Sequence, residues 1–225
     1  MKSIFTPLAR LLFPERCPVC RKVSMPSHPV CDTCFTKMTL LEDPIRREGI
    51  GSLDLIYSLY PYRHAYTKSI LFSMKDRGAQ NAVSFAAARM AEYVRQDPFL
   101  KNVTVVTYAP RRPGERIRMG FDQAALLARE IAARLSLPCI KALARKPGGR
   151  RQRGLTGEKR DFNVKDKFYP VKSCELSGNT VLLIDDVITT GATVRECASV
   201  LKLQMGAHKI YAFSFTSPFL KTEEE

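Results

Sequence analysis

Two adjacent aspartates give this chain its clearest chemistry. Asp185 and Asp186 follow four large aliphatic residues, 181–184, a run that predicts a strand buried on both faces of a parallel sheet. Open α/β sheets bind their ligands at the carboxyl ends of the strands, which is where these two acids fall. Both carboxylates are therefore candidates for accepting hydrogen bonds from a ligand.

The loop after the aspartates predicts a phosphate cradle. Its residues have no long side chains, so backbone N–H groups and hydroxyls can surround an anion, and its glycine permits a tight turn. The helix predicted to follow directs the positive end of its dipole at the same place. The cradle consists of Thr189, Thr190, Gly191, Ala192 and Thr193. The apolar stripe of the helix consists of Val194, Ala198, Leu201 and Met205, and Gly206 is predicted to end it.

Two acids beside a phosphate cradle suit a phosphorylated sugar, because carboxylates accept hydrogen bonds from vicinal ribose hydroxyls while the loop holds the 5-phosphate. The segment resembles the phosphoribosyl-pyrophosphate (PRPP) motif of type I phosphoribosyltransferases, in which a hydrophobic strand, two acids and Thr-Thr-Gly-x-Thr follow in order. This resemblance implies that Asp185 and Asp186 position the ribose and that PRPP binds with Mg²⁺. The alternative is an ordinary strand-to-helix turn with two solvated aspartates.

Two Cys-x-x-Cys pairs near the amino terminus predict a structural zinc site. Each pair can fold as a tight knuckle that offers two thiolates, and two knuckles complete the tetrahedral four-sulfur shell that structural zinc prefers. A closed shell leaves no ligand position for water, so we expect no catalysis there. The predicted ligands are Cys17, Cys20, Cys31 and Cys34.

A disulfide pair and a redox Cys-x-x-Cys are the alternatives for these cysteines. Disulfides would require export, and residues 1–13 do not read as an export signal because Pro7 and Arg10 interrupt a short apolar stretch. A redox motif would not be expected in duplicate. We expect ordinary core thiols for the other cysteines, Cys139, Cys174 and Cys197. We therefore expect a cytoplasmic protein.

The chain has the composition of an ordinary globular protein but an unusually high positive net charge. The 225 residues are 45% apolar and 26% charged, which allows one full-sized core and a small module, and no apolar run approaches a membrane span. The formal net charge is +14, and residues 109–168 hold sixteen Lys and Arg against six Asp and Glu.

This basic stretch predicts a large anionic partner. A small ligand cannot contact sixteen cations, whereas a nucleic-acid backbone can. The alternative is the general solubility of a basic protein, since the stretch has few aromatic residues on which bases could stack. The predicted nucleic-acid contacts are Arg145, Arg151, Arg153 and Arg160.

Strands alternate with helices, which predicts an α/β fold with a doubly wound parallel sheet. We expect a zinc module over residues 1–45, a linker over 42–51 and a type I phosphoribosyltransferase-like domain over 52–218. Predicted strands cover 53–60, 103–109, 181–186 and 208–215, with short strands also predicted at 138–140 and 168–171. Predicted helices cover 66–74, 82–95 and 124–135. A basic loop is predicted after strand 103–109, and 145–163 is predicted to be a mobile loop.

The loop 109–112 is expected to face the phosphate cradle, because the ends of strands 103–109 and 181–186 can lie side by side in this sheet. Its position matches the pyrophosphate loop of the phosphoribosyltransferase fold. That match implies anion contacts for Arg111 and Arg112, and Arg118 in the same basic segment is a further candidate.

Residues 116–123 resemble the Arg-Gly-Phe-Asn-Gln signature of the ComF family, a group of zinc-bearing phosphoribosyltransferase-like proteins. A second pattern of that family matches Arg145, Gln152, Leu155, Arg160, Asn163 and Phe168. With the cysteine pairs and the PRPP motif, the resemblance spans residues 13–215. Met119 stands where the family usually has arginine and Asp122 replaces its asparagine, while Gln123 is expected to cap a helix or contact a ligand.

The ComF resemblance implies a PRPP-binding protein that handles single-stranded DNA during natural transformation, together with other DNA-uptake proteins. The alternative is an active Mg²⁺-dependent phosphoribosyltransferase, in which the loop 145–163 closes over the site and a nucleobase or amine displaces pyrophosphate. The sequence contains no clear base-recognition pocket, which favours the first function.

Overall fold

Hydrophobic strands and amphipathic helices assemble around one mainly parallel sheet. The computed structural model describes residues 16–23, 29–75, 79–147, 167–171 and 174–218. In chain order the helices and strands are α1 (Asp32–Leu40), β1 (Ile45–Glu48), β2 (Leu55–Pro61), α2 (Ala65–Lys75), α3 (Gln80–Gln96), β3 (Val105–Tyr108), α4 (Pro113–Met119), α5 (Gln123–Leu135), β4 (Leu143–Arg145), β5 (Phe168–Pro170), β6 (Thr180–Val187), α6 (Ala192–Leu203) and β7 (Lys209–Ser217).

Within the described ranges, the main sheet has five strands in the order β1-β2-β7-β6-β3. β2, β7, β6 and β3 run parallel, and β1 is added antiparallel at one edge. The pair β4 and β5 forms a second, antiparallel sheet. Parallel neighbours need crossover connections, which the helices between the strands supply. The predicted α/β fold with a parallel sheet is confirmed.

The sheet is buried on both faces, because successive strand residues point to opposite sides. On β6, Leu182 and Ile184 belong to the apolar cluster that includes α2, α3 and α5, whereas Val181 and Leu183 belong to the cluster that includes α6. All four side chains are fully buried. Each such burial contributes roughly 1.5 to 3 kcal/mol, so the carboxyl end of β6 is a firmly held base for the residues that follow.

Most predicted helices and strands are confirmed to within a few residues. The short strand predicted at 168–171 is β5, whereas the segment predicted at 138–140 contributes an isolated bridge between Cys139 and Val106 and is not a strand. The helix after the cradle buries its predicted stripe, and Gly206 adopts a φ of 73° beyond its end. The basic segment after β3 contains the helix α4, where a loop was predicted. Arg145 belongs to the unpredicted strand β4, and residues 148–163 of the predicted mobile loop lie outside the described residues.

The amino-terminal cysteine segment packs against α2 and α3. Cys17 and Cys34 belong to the same buried cluster as residues of both helices. The Ser73 hydroxyl donates to the Pro18 carbonyl oxygen at 3.2 Å, and the Asn81 side-chain amide donates to the carbonyl of Arg16 at 2.7 Å. The zinc segment and the sheet domain therefore share apolar contacts.

The prediction of a linker over 42–51 is wrong, because this segment is bound to the sheet and to α3. Residues 45–48 form β1, which pairs with β2. Glu42 accepts a hydrogen bond from Arg89 Nη2 at 2.7 Å and another from the Tyr60 hydroxyl at 2.6 Å. Burial and the neighbouring Glu42 raise the pKa of Tyr60. A charge-assisted network thus fixes the connection between the cysteine segment and β1.

Replacing Arg89 with methionine should lower the free energy of unfolding by about 2 kcal/mol, because Glu42 would keep its charge in a half-buried site without its main partner. Urea denaturation followed by circular dichroism measures the change. The control is Arg95→Met on the same helix, whose more exposed pair with Glu92 should contribute less than about 1 kcal/mol. Equal effects of the two substitutions would contradict the assigned role of Glu42.

Candidate functional site

The ends of β3 and β6 bring the predicted ligand-binding segments together. The two strands are paired up to Tyr108, which lies opposite Ile184. Beyond that pair, the Ala109 N–H donates to the Ile184 carbonyl oxygen at 3.0 Å. The loop 109–112 therefore starts beside Asp185, as the alternation of strands and helices predicted.

The carboxylates of Asp185 and Asp186 are held by the backbone that follows each of them. Asp185 Oδ1 accepts a hydrogen bond from the Asp186 N–H at 2.9 Å, and Asp186 Oδ1 accepts one from the Val187 N–H at 3.0 Å. Burial and the adjacent Asp186 charge raise the pKa of Asp185 well above its ordinary value. Two neighbouring carboxylates at a buried strand end are electrostatically costly, and a hydroxyl donor or a cation would relieve that cost.

Two cations from different parts of the chain approach Asp186. Arg111 Nη2 lies 3.6 Å from Asp186 Oδ2, and Lys75 Nζ lies 4.0 Å from the same oxygen. Arg111 comes from the loop after β3, as predicted, whereas Lys75 is the last residue of α2 and belongs to no motif recognised in the sequence. The helix α2 therefore contributes a side chain to the site.

The cradle turns at Gly191, whose φ of 78° lies in the left-handed region that favours glycine. A Cβ added there would lie 3.0 Å from Arg195 Nη1. The same Arg195 nitrogen donates to the Thr190 carbonyl oxygen at 2.7 Å, which fixes the conformation of the loop. The helix α6 begins at Ala192, so the positive end of its dipole lies at the cradle. Residues of the cradle line a cavity of about 40 Å³.

Asp122 connects the loop after β3 to α5. Its Oδ1 accepts a hydrogen bond from the Ala125 N–H at 3.4 Å and caps the helix, while its Oδ2 accepts one from the Arg111 N–H at 2.9 Å. The acid that departs from the ComF pattern thus holds the loop in place. Gln123 does not cap the helix, contrary to one of its two predicted roles; it is buried, and its amide atoms have no hydrogen-bond partner within the described part of the chain.

The pair of strands β4 and β5 places Arg145 at the same cleft. Its guanidinium lies 5.0 Å from the centre of the Phe168 ring on the paired strand. Glu196 of α6 accepts a hydrogen bond from the Lys167 N–H at 2.5 Å, so these strands are tied to the helix that bears the cradle. Burial and the nearby cations of Arg112 and Arg145 lower the pKa of Lys167. Positive charge is therefore concentrated on this side of the site.

These elements surround an open cleft of about 440 Å³. Its charged lining residues are Lys75, Arg111, Arg118, Arg145, Asp122, Asp185 and Asp186. The cleft adjoins the cradle cavity, with which it shares Asp185, Val187 and Thr193. A cradle of backbone and hydroxyl donors that adjoins a cleft lined by cations and by Asp185 and Asp186 would fit a ligand that carries phosphate at both ends and hydroxyls in its middle. The carboxylates and a phosphorylated ligand also offer the oxygen donors that Mg²⁺ prefers.

The predicted site residues fall into two groups. The described ones lie around the cleft and the cradle: Asp185, Asp186, residues 189–193, Arg111, Arg118 and Arg145. Arg145, predicted as a nucleic-acid contact, lines the cleft together with the aspartates. Arg151, Arg153 and Arg160 lie outside the described residues. Sequence reasoning missed Lys75 and Arg195, because neither belongs to a local motif.

The four predicted zinc ligands come together at the amino terminus. The Sγ atoms of Cys17, Cys20, Cys31 and Cys34 all lie within 4.8 Å of one another. Cys20 and Cys31 approach to 3.7 Å, close to the edge of about 3.8 Å that a tetrahedral shell with zinc–sulfur bonds of about 2.3 Å would have. Burial alone would raise the pKa of Cys17, but hydrogen bonds from backbone N–H groups lower it to about 7. The donor set and its spacing fit zinc.

The parallel sheet, the cleft beside the cradle and the four-cysteine cluster are the features that the sequence predicted for a zinc-bearing protein of the phosphoribosyltransferase-like class. Residues 8–46 match the double zinc ribbon domain family. The chain is similar to Competence protein F from Haemophilus influenzae, with 34% identity over 95 residues, which make up 41% of this chain and 41% of the relative. The predicted ComF resemblance is confirmed.

Two further proteins are similar over part of the chain. The ribose-phosphate pyrophosphokinase of Thermoplasma acidophilum is 40% identical over 50 residues, which cover 22% of this chain and 17% of the relative. The chain thus spans less than half the length of the curated relatives it matches. The solved glutamine PRPP amidotransferase from B. subtilis, complexed with ADP and GMP, overlaps 65% of this chain and 30% of its own, with a TM-score of 0.43 and 22% identity.

The helices of this fold are short or amphipathic. Among the described residues, none of the helices combines the length and the hydropathy needed to cross a membrane.

The purified protein should carry about one Zn²⁺ per chain, and Cys17→Ser or Cys31→Ser should release it and lower the melting temperature, because the cysteine segment shares its apolar contacts with α2 and α3. Metal analysis and thermal denaturation measure the two effects. The control, Cys174→Ser, replaces a thiol outside the cluster and should retain the zinc. Native protein without zinc and with four titratable thiols at these positions would contradict the assignment.

Proposed function

We propose that this protein binds PRPP in the cleft and acts in DNA uptake, where it handles single-stranded DNA. The first part is supported by the cradle cavity and the larger cleft, which adjoin each other and share Asp185. The cradle at residues 189–193 is small and built from backbone and hydroxyl donors, which suits a monophosphate. The larger cleft is lined by cations, which suits a second and more highly charged group.

The aspartates between the two sites supply what the middle of the ligand needs. Vicinal ribose hydroxyls are donors, and Asp185 and Asp186, which line the cleft, offer carboxylate acceptors. Because burial and Asp186 raise the pKa of Asp185, a cation bound with the ligand would favour its ionised form. Asp185 and Asp186 would hold Mg²⁺ bound together with the ligand, and the metal would supply that positive charge.

The lining of the cleft favours ligand binding over transfer to a nucleobase. Within the described residues no aromatic side chain lines the cleft, whose apolar residues are small or aliphatic. A nucleobase acceptor would be expected to stack on an aromatic or extended apolar surface. An active transferase remains the second candidate because the PRPP motif is complete. Release of pyrophosphate from PRPP and Mg²⁺ that depends on an added nucleobase or amine would establish it.

The proposed DNA function is supported by the relative and by the charge. The homologue is named a competence protein, and residues 109–168 concentrate positive charge far beyond what a sugar phosphate can contact. Arg145 lines the cleft. In our proposal it contacts the DNA together with Arg151, Arg153 and Arg160 of the same basic stretch of sequence.

Replacing Asp185 with asparagine should weaken PRPP binding about 10-fold or more, because it removes a charged acceptor, and should raise the melting temperature at pH 8. The folded-state pKa of Asp185 is raised, so the stability of the parent falls as the pH rises through the ordinary range of a carboxyl group, and the variant escapes this loss. Calorimetry and thermal denaturation measure the two effects.

The stability difference between parent and Asp185→Asn should shrink as the pH is lowered toward about 4, where the parent carboxyl becomes protonated in both states. The introduced amide oxygen still accepts from the Asp186 N–H, so the local backbone is preserved. The control is Asp43→Asn, which removes the same charge from an exposed position. Unchanged PRPP affinity in the Asp185 variant, or no PRPP binding by the parent, would refute the proposed ligand.

Single-stranded DNA should bind with a strong salt dependence, each phosphate contact adding about 0.7 to the slope of log affinity against log salt. Substituting Arg151 and Arg153 by alanine should reduce that slope. The control removes two exposed lysines, Lys101 and Lys209. Lys101 precedes β3 and Lys209 begins β7, so both lie at the amino ends of the parallel strands, away from the cleft at their carboxyl ends. Fluorescence anisotropy at several salt concentrations makes the measurement, and absent or salt-insensitive binding would contradict the DNA function.

A further inference from the structure

Lys75 is placed on the wall of the cleft by α2, an element that the PRPP motif does not include. Its Nζ lies 4.0 Å from Asp186 Oδ2, and the side chain is 37% exposed, against 15% for the aspartate. A contact of this length and exposure is a loose ion pair of little energetic value. The ammonium can therefore turn to a ligand in the cleft without a large loss of stability.

We propose that Lys75 binds the diphosphate of PRPP and so determines specificity for the diphosphorylated sugar over the monophosphorylated one. This inference rests on the proposed function. The position of Lys75 supports this role. Lys75 lines the larger cleft and not the cradle cavity, which is lined by residues 185 and 187–194. A monophosphate in the cradle would thus be held by other residues, while the diphosphate at the other end of the ribose would contact Lys75.

The balance of charge around Asp186 supports this role. Arg111 Nη2 lies 3.6 Å from the same carboxylate oxygen, so two cations share one negative charge. The carboxylate oxygens of Asp122, the third acid that lines the cleft, accept hydrogen bonds from the backbone N–H groups of Arg111 and Ala125. Positive charge at this end of the cleft exceeds what its acids neutralise, and a diphosphate supplies the missing negative charge.

A purely structural role is the competing explanation for Lys75. The residue ends α2, and a cation in the last turn of a helix interacts favourably with the helix dipole. That role predicts a change in stability and no discrimination between ligands. The two explanations therefore differ in which ligand affinities respond to substitution.

The test is calorimetric titration of the full-length protein and of Lys75→Met with PRPP, pyrophosphate and ribose 5-phosphate, each with Mg²⁺. We expect Lys75→Met to weaken PRPP and pyrophosphate binding about 10-fold and to change ribose 5-phosphate binding less than about twofold, as loss of one charge-assisted contact predicts. Lys75→Arg should retain most of the PRPP affinity. The matched control is Lys68→Met, which removes the same charge from the same helix outside the cleft.

Zinc content and melting temperature establish that each variant is folded. If Lys75→Met does not fold, the affinities of Lys75→Arg for the three ligands are compared with those of the parent instead. Equal weakening of all three ligands, or unchanged PRPP and pyrophosphate affinity, would overturn the role of Lys75 while leaving PRPP binding intact. A parent that binds pyrophosphate but not PRPP, with pyrophosphate binding lost in Lys75→Met, would refute the proposed function and keep the diphosphate contact. A parent that binds neither ligand would refute both.

Discussion

The electrostatic cost of two adjacent carboxylates at the end of a buried strand governs the arrangement of this site. β6 is held by apolar side chains on both faces, so Asp185 and Asp186 cannot move away from each other or fully into water. The chain compensates with cations from separate elements, Lys75 from α2 and Arg111 from the loop after β3. The compensation is loose, with distances of 3.6 and 4.0 Å, which leaves these cations available to an anionic ligand.

The surrounding structure positions these charges by hydrogen bonds that do not use the ligand-facing groups. Asp122 caps α5 and holds the backbone of Arg111, and Arg195 holds the carbonyl of Thr190 in the cradle. Glu196 ties the strand pair that carries Arg145 to the same helix. These supporting residues fix where the loops lie, so the donors of the site are largely organised before a ligand binds.

The parts of the site encoded by local sequence could be predicted, and those created by long-range packing could not. The run 181–193 specifies strand, acids and cradle by its own periodicity and residue types, and the spacing of the cysteines specifies the zinc shell. Lys75 gave no such signal, because a lysine at a helix end is ordinary and only the packing of α2 brings it to Asp186. Glu42 looked like part of a polar linker because its partner Arg89 lies 47 residues away. The capping role of Asp122, in contrast, could have been predicted from the sequence, because an aspartate directly before a helix with a periodic apolar face is a common N-cap.

A crystal structure of the protein with PRPP and Mg²⁺ tests the central claim most directly. The claim is that one ligand spans both anion sites with the aspartates between them. It predicts the 5-phosphate against the backbone N–H groups of residues 190–193, the ribose hydroxyls on Asp185 and Asp186, and the diphosphate beside Lys75 and Arg111. A ligand bound outside the cradle, a reversed orientation with the diphosphate in the cradle, or a site without ligand at saturating concentration would contradict it.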